Sequence, residues 1–205
     1  MFLLFFSISL SAQSELEKES FNDSDSLKIK RISIGIKLGI PNIAGGSSEI
    51  VLPILNNHFT PYIDYSSSNL PSGDTETSFS FIEYGIKYYF GEKGYGLFAS
   101  LGQSKLDANF IFKELFFSDN TLSNLGSAKV PLELKTTNLK LGVKTGDTFF
   151  FRFEIGYGIG NIPSELKFNA NANGINKSFT EERPAIPGLG SGGILLANFG
   201  FGFAF

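Results

Sequence analysis

Two features of the sequence could carry chemistry, and the first is a glycine-rich stretch. The segment GLGSGG at 188–193 has the G-x-G-x-x-G spacing of loops that hold a nucleotide phosphate. Such a loop works when a helix follows it, because the helix N-terminus then meets the anion. Here a loop precedes the glycines and a strand pattern follows them. The stretch is interpreted as a flexible entry into the last strand, and no cofactor is expected.

The second feature is His58, the one histidine in 205 residues. A hydrolase triad needs its base beside a nucleophile and a carboxylate, and a histidine metal site needs several ligands. His58 instead follows the Asn56-Asn57 turn, at the end of the molecule opposite the variable loops. No catalytic or metal-binding residue is therefore assigned. The protein is expected to be non-enzymatic, with a lipid-modifying enzyme as one alternative.

The composition narrows the class of protein that could hold these residues. The chain has 23 Phe, 7 Tyr and 23 Gly but no Cys, and its formal net charge is −3. Aromatic residues and glycine favour strands and turns. Without cysteine, disulfides and thiolate metal sites are excluded. The near-neutral charge and the lack of a dense basic patch argue against a nucleic-acid partner.

Alternation of apolar with small or polar residues dominates the chain after Lys30. In RISIGIKLGI (31–40), isoleucine or leucine occupies every second position. This period of two is typical of strands with two unlike faces. An eighth strand, placed at 48–55, alternates poorly and contains Pro53. The pattern predicts an all-β fold of eight antiparallel strands, the other six at 58–66, 81–90, 94–102, 139–144, 149–160 and 197–205.

The connections are of two kinds. Residues that tolerate positive φ form three tight turns, at Asn56-Asn57, Gly91–Gly94 and Thr145–Asp147. The other connections are predicted to be variable loops, at Pro41–Ser47, Ser67–Glu76, Leu106–Val130 and Asn161–Gly192. If the strands run up and down, the tight turns and both chain ends fall at one end. The variable loops then share the opposite end.

The two faces of the strands decide between a soluble barrel and a transmembrane barrel. The apolar face carries about five large side chains per strand, more than the interior of an eight-stranded barrel can hold. The other face is small and glycine-rich, with isolated charges at Lys37, Asp64, Glu83, Lys87, Lys140, Lys144, Arg152 and Glu154. We interpret these charges as a paired network in the lumen, because unpaired buried charges are costly. A narrow pore for small solutes is the alternative.

The last nine residues, ANFGFGFAF, alternate four aromatics with small residues. With the alternating strands and the two kinds of turn, the chain resembles the small bacterial outer-membrane barrels of the OmpA/OmpX-like superfamily. The resemblance implies an eight-stranded up-and-down barrel over 31–205. It also implies that the barrel-assembly machinery reads the terminal strand, at Phe199, Phe201, Phe203 and Phe205.

The N-terminus indicates export. Residues 1–13, MFLLFFSISLSAQ, look like a cleaved signal peptide, with a buried N-terminal strand as the alternative. The polar residues 14–30 are expected to form a flexible periplasmic lead-in. The predicted protein is a monomer in the outer membrane of a Gram-negative bacterium, in contact with its lipid. Its role is expected to be structural, or binding of an unknown extracellular partner, with a possible contact surface at Phe110, Phe112, Phe116 and Phe117.

Overall fold

The computed structural model describes residues 29–91, 94–119, 122–172, 175–183 and 188–205, with the side chains of 72, 114–119, 122–125, 172 and 175 left out. The expected signal peptide and nearly all of the expected lead-in therefore lie outside the described residues. Lys30, at the end of that lead-in, pairs with Asp147 across 2.7 Å. Within the described residues, no helix has the length and apolar character to cross a membrane.

The described residues form ten strands and one short 3-10 turn at Leu55–Asn57. The strands are β1 (Ile32–Ile40), β2 (Ile43–Ile50), β3 (Phe59–Ser72), β4 (Thr75–Tyr89), β5 (Gly96–Asp119), β6 (Leu122–Thr145), β7 (Phe149–Ile159), β8 (Glu165–Ala172), β9 (Ile175–Glu182) and β10 (Gly193–Ala204).

Eight of these strands close into an antiparallel barrel. Strands β1 to β7 pair in sequence, β7 pairs with β10, and β10 pairs with β1. The seam is tied at the chain's end, where the Phe205 N–H donates to the Ile32 carbonyl at 2.8 Å. Closure leaves no sheet edge around this part of the molecule. The predicted all-β, eight-stranded antiparallel barrel is confirmed.

The three connections that the sequence predicted to be tight lie at the end that holds both barrel termini. Around this rim the Val51 N–H donates to the Arg31 carbonyl at 2.7 Å, and the Tyr89 N–H donates to the His58 carbonyl at 2.9 Å. Asn56 and Asn57 have positive φ values of 56° and 64°, as their role in the turn requires. Leu55 also has a positive φ, 47°, which is unusual for a residue with a large side chain.

The second strand was predicted wrongly. It was placed at 48–55, but β2 runs from Ile43 to Ile50, and residues 51–58 form the connection to β3. The outward side chains of β2 include Ala44, Gly46 and Ser48. They give little apolar alternation, whereas the apolar run Ile50–Leu52 mimics a strand. Most of the loop predicted at Pro41–Ser47 is therefore strand, and the turn is only Pro41-Asn42.

Three predicted variable loops are also largely strand. Strands β3 and β4 extend to Ser72 and from Thr75, and β5 and β6 are 24 residues each. The predicted loop at 161–192 contains the β8–β9 hairpin, which joins the sheet where Ser127–Lys129 of β6 pairs with Asn169–Asn171 of β8. Beyond the closed barrel the molecule thus continues as a sheet above one side of the wall. We call this part the upper sheet. It consists of the β8–β9 hairpin and of the ends of β3, β4, β5 and β6 that lie away from the chain termini.

Candidate functional site

The closed barrel has an apolar outside and a charged inside. Outward side chains on different strands, such as Ile34, Leu141 and Phe153, are each 50% or more exposed. The alternating inward positions are buried, and many of them carry charge. This is the reverse of a protein folded around an apolar core in water. In the closed barrel, the interior charges are the first candidate site.

Glu49 lies at the centre of these charges. Its two carboxylate oxygens contact Lys87 at 2.6 Å, Lys144 at 2.5 Å and Arg152 at 2.9 Å. The Tyr89 hydroxyl also donates to Glu49, at 3.2 Å. Each of the four ion-pair side chains is at most 4% exposed. A single carboxylate thus pairs with cations from β4, β6 and β7.

Glu154 is the second centre. Lys37 lies 2.7 Å from it, Lys140 3.2 Å and Arg152 3.1 Å. Lys37 also pairs with Asp64 at 2.5 Å, and Lys140 with Glu83 at 2.7 Å. Arg152 and Lys87 contact both glutamates and so join the two centres into one buried cluster, which we call the lumen network. Its charged members are Lys37, Glu49, Asp64, Glu83, Lys87, Lys140, Lys144, Arg152 and Glu154.

Aromatic side chains fill the space between the charges. The Tyr62 hydroxyl donates to Glu83 at 2.6 Å, and its ring lies under the ammonium groups of Lys87 and Lys140 at 4.8 and 4.9 Å. Phe150 lies 4.5 Å from the Lys144 ammonium in the same way. Such contacts stabilise a cation that has lost its water. The lumen network is therefore packed as a solid core.

Inward glycines make room for these rings. A Cβ atom at Gly102 would lie 2.4 Å from the Tyr62 hydroxyl, and one at Gly142 would lie 2.5 Å from the Phe98 ring. At Gly35 it would lie 3.1 Å from the Phe150 ring and 2.4 Å from a backbone oxygen. The glycines of the inner face thus leave space for large side chains that come from other strands.

The structure brings all eight sequence-predicted lumen charges together, and it adds Glu49. Sequence reasoning missed Glu49 because it placed β2 out of position. The signal that could have found it is the alternation of Gly45, Ser47 and Glu49, which continues the small and polar inner face. Ser47 does point inward, where it accepts a hydrogen bond from Arg152 at 2.5 Å.

An apolar layer lies at the level where the closed barrel meets the upper sheet. It is formed by the buried inward side chains of Phe79, Phe81, Val130, Leu134 and Leu196. Ile162, from the connection after β7, is 3% exposed and belongs to the same buried set. The inward positions thus carry both the lumen network and a set of buried apolar side chains.

The two chemistry-bearing features of the sequence occupy different ends. His58 lies at the rim with the tight turns, where Nδ1 donates to the Tyr89 carbonyl at 2.5 Å and the ring stacks on Tyr88. The glycine stretch lies at the other end, and Gly188 has a φ of +82° and accepts from the Leu195 N–H at 2.7 Å. It leads into β10, so the helix that a phosphate loop requires does not follow it.

The aromatic residues proposed as a contact surface were predicted to lie in a loop, and the structure places them on β5 instead. Phe110 and Phe112 are partly exposed, on the face of the upper sheet that continues the barrel interior. The Phe112 ring lies 6.5 Å from Phe168 of β8, which stacks on Phe179 of β9 at 5.1 Å. These three rings form a row on the upper sheet. The side chains of Phe116 and Phe117 lie outside the described set.

The four aromatics of the terminal strand lie on the outer face of the barrel seam. Phe199, Phe203 and Phe205 are 43%, 53% and 68% exposed, and Phe201 is partly exposed. Phe199 stacks on Phe151 of β7 at 6.0 Å. Their placement next to the closing strand pair does not itself test recognition by assembly machinery, which stays a prediction.

Comparison with known proteins finds a similar architecture among solved structures. No family model matches the chain, and no curated protein matches it. The crystal structure of Acinetobacter baumannii CarO aligns with this chain with a TM-score of 0.51 and 10% identity, over 85% of this chain and 98% of CarO. The chain therefore shares the barrel fold of CarO. At this identity the likeness to CarO shows the fold alone. It covers nearly the whole of CarO, so the shared feature is a complete barrel and not a strand motif.

Proposed function

We propose that the protein is an integral β-barrel of a bacterial outer membrane, exported by a cleaved signal peptide, whose closed part anchors an extracellular sheet. The observation that carries this proposal is the outer face of the barrel. Ile34, Ile36 and Leu38 of β1 and Phe149, Phe151 and Phe153 of β7 are all 41% to 56% exposed. Exposed apolar patches of this continuity mark an interaction surface. A closed barrel satisfies its backbone hydrogen bonds in lipid.

The membrane part of the proposal is tested by folding the protein into detergent and comparing its gel migration with and without boiling. A folded barrel is expected to resist the detergent and to migrate differently after heating. A protein that stays soluble and folded without detergent would contradict the membrane location.

The role that we propose is contact with an extracellular partner, without catalysis and without conduction. The upper sheet supports this role, because β5 and β6 are each 24 residues long, whereas a tilted strand needs about 9–11 residues to span a membrane. The remaining residues and the β8–β9 hairpin would stand outside the cell. Their partly exposed aromatic row, Phe112, Phe168 and Phe179, is the proposed contact surface.

Replacing Phe168 and Phe179 by serine tests this surface, because both lie on the hairpin and away from the barrel wall. Cells that display the protein are compared for adhesion to other cells and to host matrix proteins, with Asn169→Ser on the opposite face as control. Adhesion is expected to fall in the double variant alone. Equal adhesion of the double variant and the wild type, at equal surface amounts, would contradict the role.

The pore and enzyme alternatives make separate predictions. The lumen network and the apolar layer together support a closed interior, so planar bilayers with the folded protein are expected to show no steady conductance. His58 is hydrogen-bonded and stacked at the rim assigned to the periplasm. His58→Ala is therefore expected to leave the lipid composition of the outer membrane unchanged. Steady current, or a lost lipid modification, would revive the corresponding alternative.

A further inference from the structure

The outer faces of β5 and β6 change from apolar to charged over a short distance. Leu101 pairs with Leu139, Gln103 with Thr137, and Lys105 with Lys135, in register across the two strands. Leu101 and Leu139 are more than half exposed, and the Gln103 amide donates to the Thr137 hydroxyl at 2.9 Å. If the barrel spans a membrane as proposed above, this step lies at the level of the outer-leaflet headgroups.

Two lysines face each other at this level. Lys105 and Lys135 are directly opposite on the same face, an arrangement that is unfavourable for like charges. Glu133 bridges them, 3.3 Å from the Lys105 ammonium and 2.8 Å from that of Lys135. The Lys135 side chain remains 71% exposed, and its ammonium has three N–H donors of which this contact uses one. Lys105 also pairs with Asp107 at 3.1 Å, so the capacity for an anion from outside the protein lies mainly on Lys135.

The pKa of each bridging group agrees with a site that is charged at neutral pH. Hydrogen bonds from Lys135 and Lys105 lower the pKa of Glu133. Hydrogen bonds to Asp107 and Glu133 raise the pKa of Lys105. Both shifts favour the charged forms of Glu133 and Lys105.

An apolar groove lies below the lysines on the same outer wall. It has a volume of about 470 Å³ and is lined by side chains that include Ala99, Leu139, Leu141, Ile155 and Tyr157. The groove exists because Ala99, opposite Leu141, is small where its neighbours on the outer face of β5 are leucines. Leu139 is four residues from Lys135 along β6, so about 13 Å of strand separates groove and charge. An acyl chain could lie along this distance.

We propose that Lys105, Lys135 and the groove at Ala99 form a binding site for a phosphorylated lipid of the outer leaflet. The two ammonium groups would hold the phosphate, and one acyl chain would lie against Leu139, Leu141 and Ile155. The inference rests on the proposed membrane location. The charge pair and the apolar groove are separate observations, and a lipid is the ligand class whose chemistry matches both.

The test is native mass spectrometry of the protein folded in detergent, titrated with phosphatidic acid or with phosphatidylcholine of the same acyl chains. The wild type is expected to bind phosphatidic acid about tenfold more tightly, a preference of about 1.4 kcal/mol. The variant K105Q/K135Q should lose this preference. The matched control is K113Q, which removes an exposed lysine from the same face of β5, farther from the barrel wall. It should bind as the wild type does.

A second pair of variants tests the groove without changing charge. Ala99→Leu fills the groove and should weaken binding of both lipids by about threefold, or about 0.6 kcal/mol. Ala44→Leu adds the same atoms to the outer face of β2 and should have no effect. Unchanged binding in K105Q/K135Q overturns the proposal. A second pair of results also overturns it: millimolar inorganic phosphate displaces the lipid completely, and Ala99→Leu binds the lipid as the wild type does. Together these results would mean that the site binds a simple anion and not a lipid.

Failure of this inference and failure of the proposed membrane location are distinguishable. Each variant is first checked for heat-dependent gel migration. A wild type that does not fold in detergent contradicts the membrane location. A wild type that folds but shows no preference for phosphatidic acid contradicts only the lipid site.

Discussion

Replacing Glu49 by glutamine tests whether the lumen network holds the barrel together. Glutamine keeps the size of the side chain but removes the charge that faces Lys87, Lys144 and Arg152 at 2.5 to 2.9 Å. Breaking a buried ion pair by neutralising one partner typically costs about 3–5 kcal/mol. Here three buried cations lose a shared partner. Lys87 and Arg152 retain Glu154, at 3.3 and 3.1 Å, so we expect a cost within this range and not a multiple of it.

The assay is urea unfolding of the protein in phospholipid vesicles, with gel migration and circular dichroism as the two readouts. It is run under conditions where the folding and unfolding curves coincide. Glu133→Gln is the control, because that carboxylate also pairs with two lysines but its side chain is 51% exposed. Exposed ion pairs contribute little, so its unfolding curve should overlay the wild type. A Glu49→Gln curve that also overlays the wild type would refute the reasoning. A double-mutant cycle with Arg152→Gln then measures the coupling between Glu49 and Arg152 directly.

Three further perturbations test other parts of the structure. Gly102→Ala should destabilise the barrel by about 1–3 kcal/mol, because the new methyl meets the Tyr62 hydroxyl at 2.4 Å; Gly46→Ala, where a Cβ meets nothing within 4 Å, is its control in the same urea assay. Deleting Phe205 should slow membrane insertion in cells, measured as the heat-modifiable fraction after a pulse of synthesis; normal insertion would count against an assembly signal. The pKa of Glu133, lowered chiefly by Lys135, should rise in Lys135→Gln when followed by carboxyl-carbon NMR. Because that pKa is depressed in the folded state, the ion pair stabilises the fold above the ordinary carboxylate pKa, and its contribution is lost as the pH falls through the folded value.

Strand alternation was enough to predict the barrel and the inner face, and it failed where the alternation itself is weak. On β1 and β7 every outward residue is large and apolar, so strand position and facing were both predictable. On β2 the outward residues Ala44, Gly46 and Ser48 are small. The upper part of β3 is polar on both faces, as in Ser66–Asn69. A strand with two similar faces has no period-two signal, and these segments were read as loops.

The pairing within the lumen network depends on distances that one strand's pattern does not contain. Arg152 on β7 contacts Glu49 on β2, although β10 and β1 lie between these strands around the wall. The contact forms across the interior, and its partners depend on the stagger between strands. In a barrel the stagger is linked to the tilt and closure of the whole sheet. Sequence reasoning could therefore place charges on the inner face but could not pair them.

The buried contacts of the interior affect which surfaces of the protein a ligand could reach. Lys37, Lys87 and Lys140 each contact at least two carboxylates or a carboxylate and a ring, and their side chains are at most 2% exposed. Opening a path past them would require breaking several buried pairs at once, each at a cost of about 3–5 kcal/mol. The apolar layer of Phe79, Phe81 and Leu134 would also have to separate. These contacts support the proposal that the interior does not conduct. We therefore propose that ligands and partners bind at the upper sheet or at the outer wall with its lysine pair and groove.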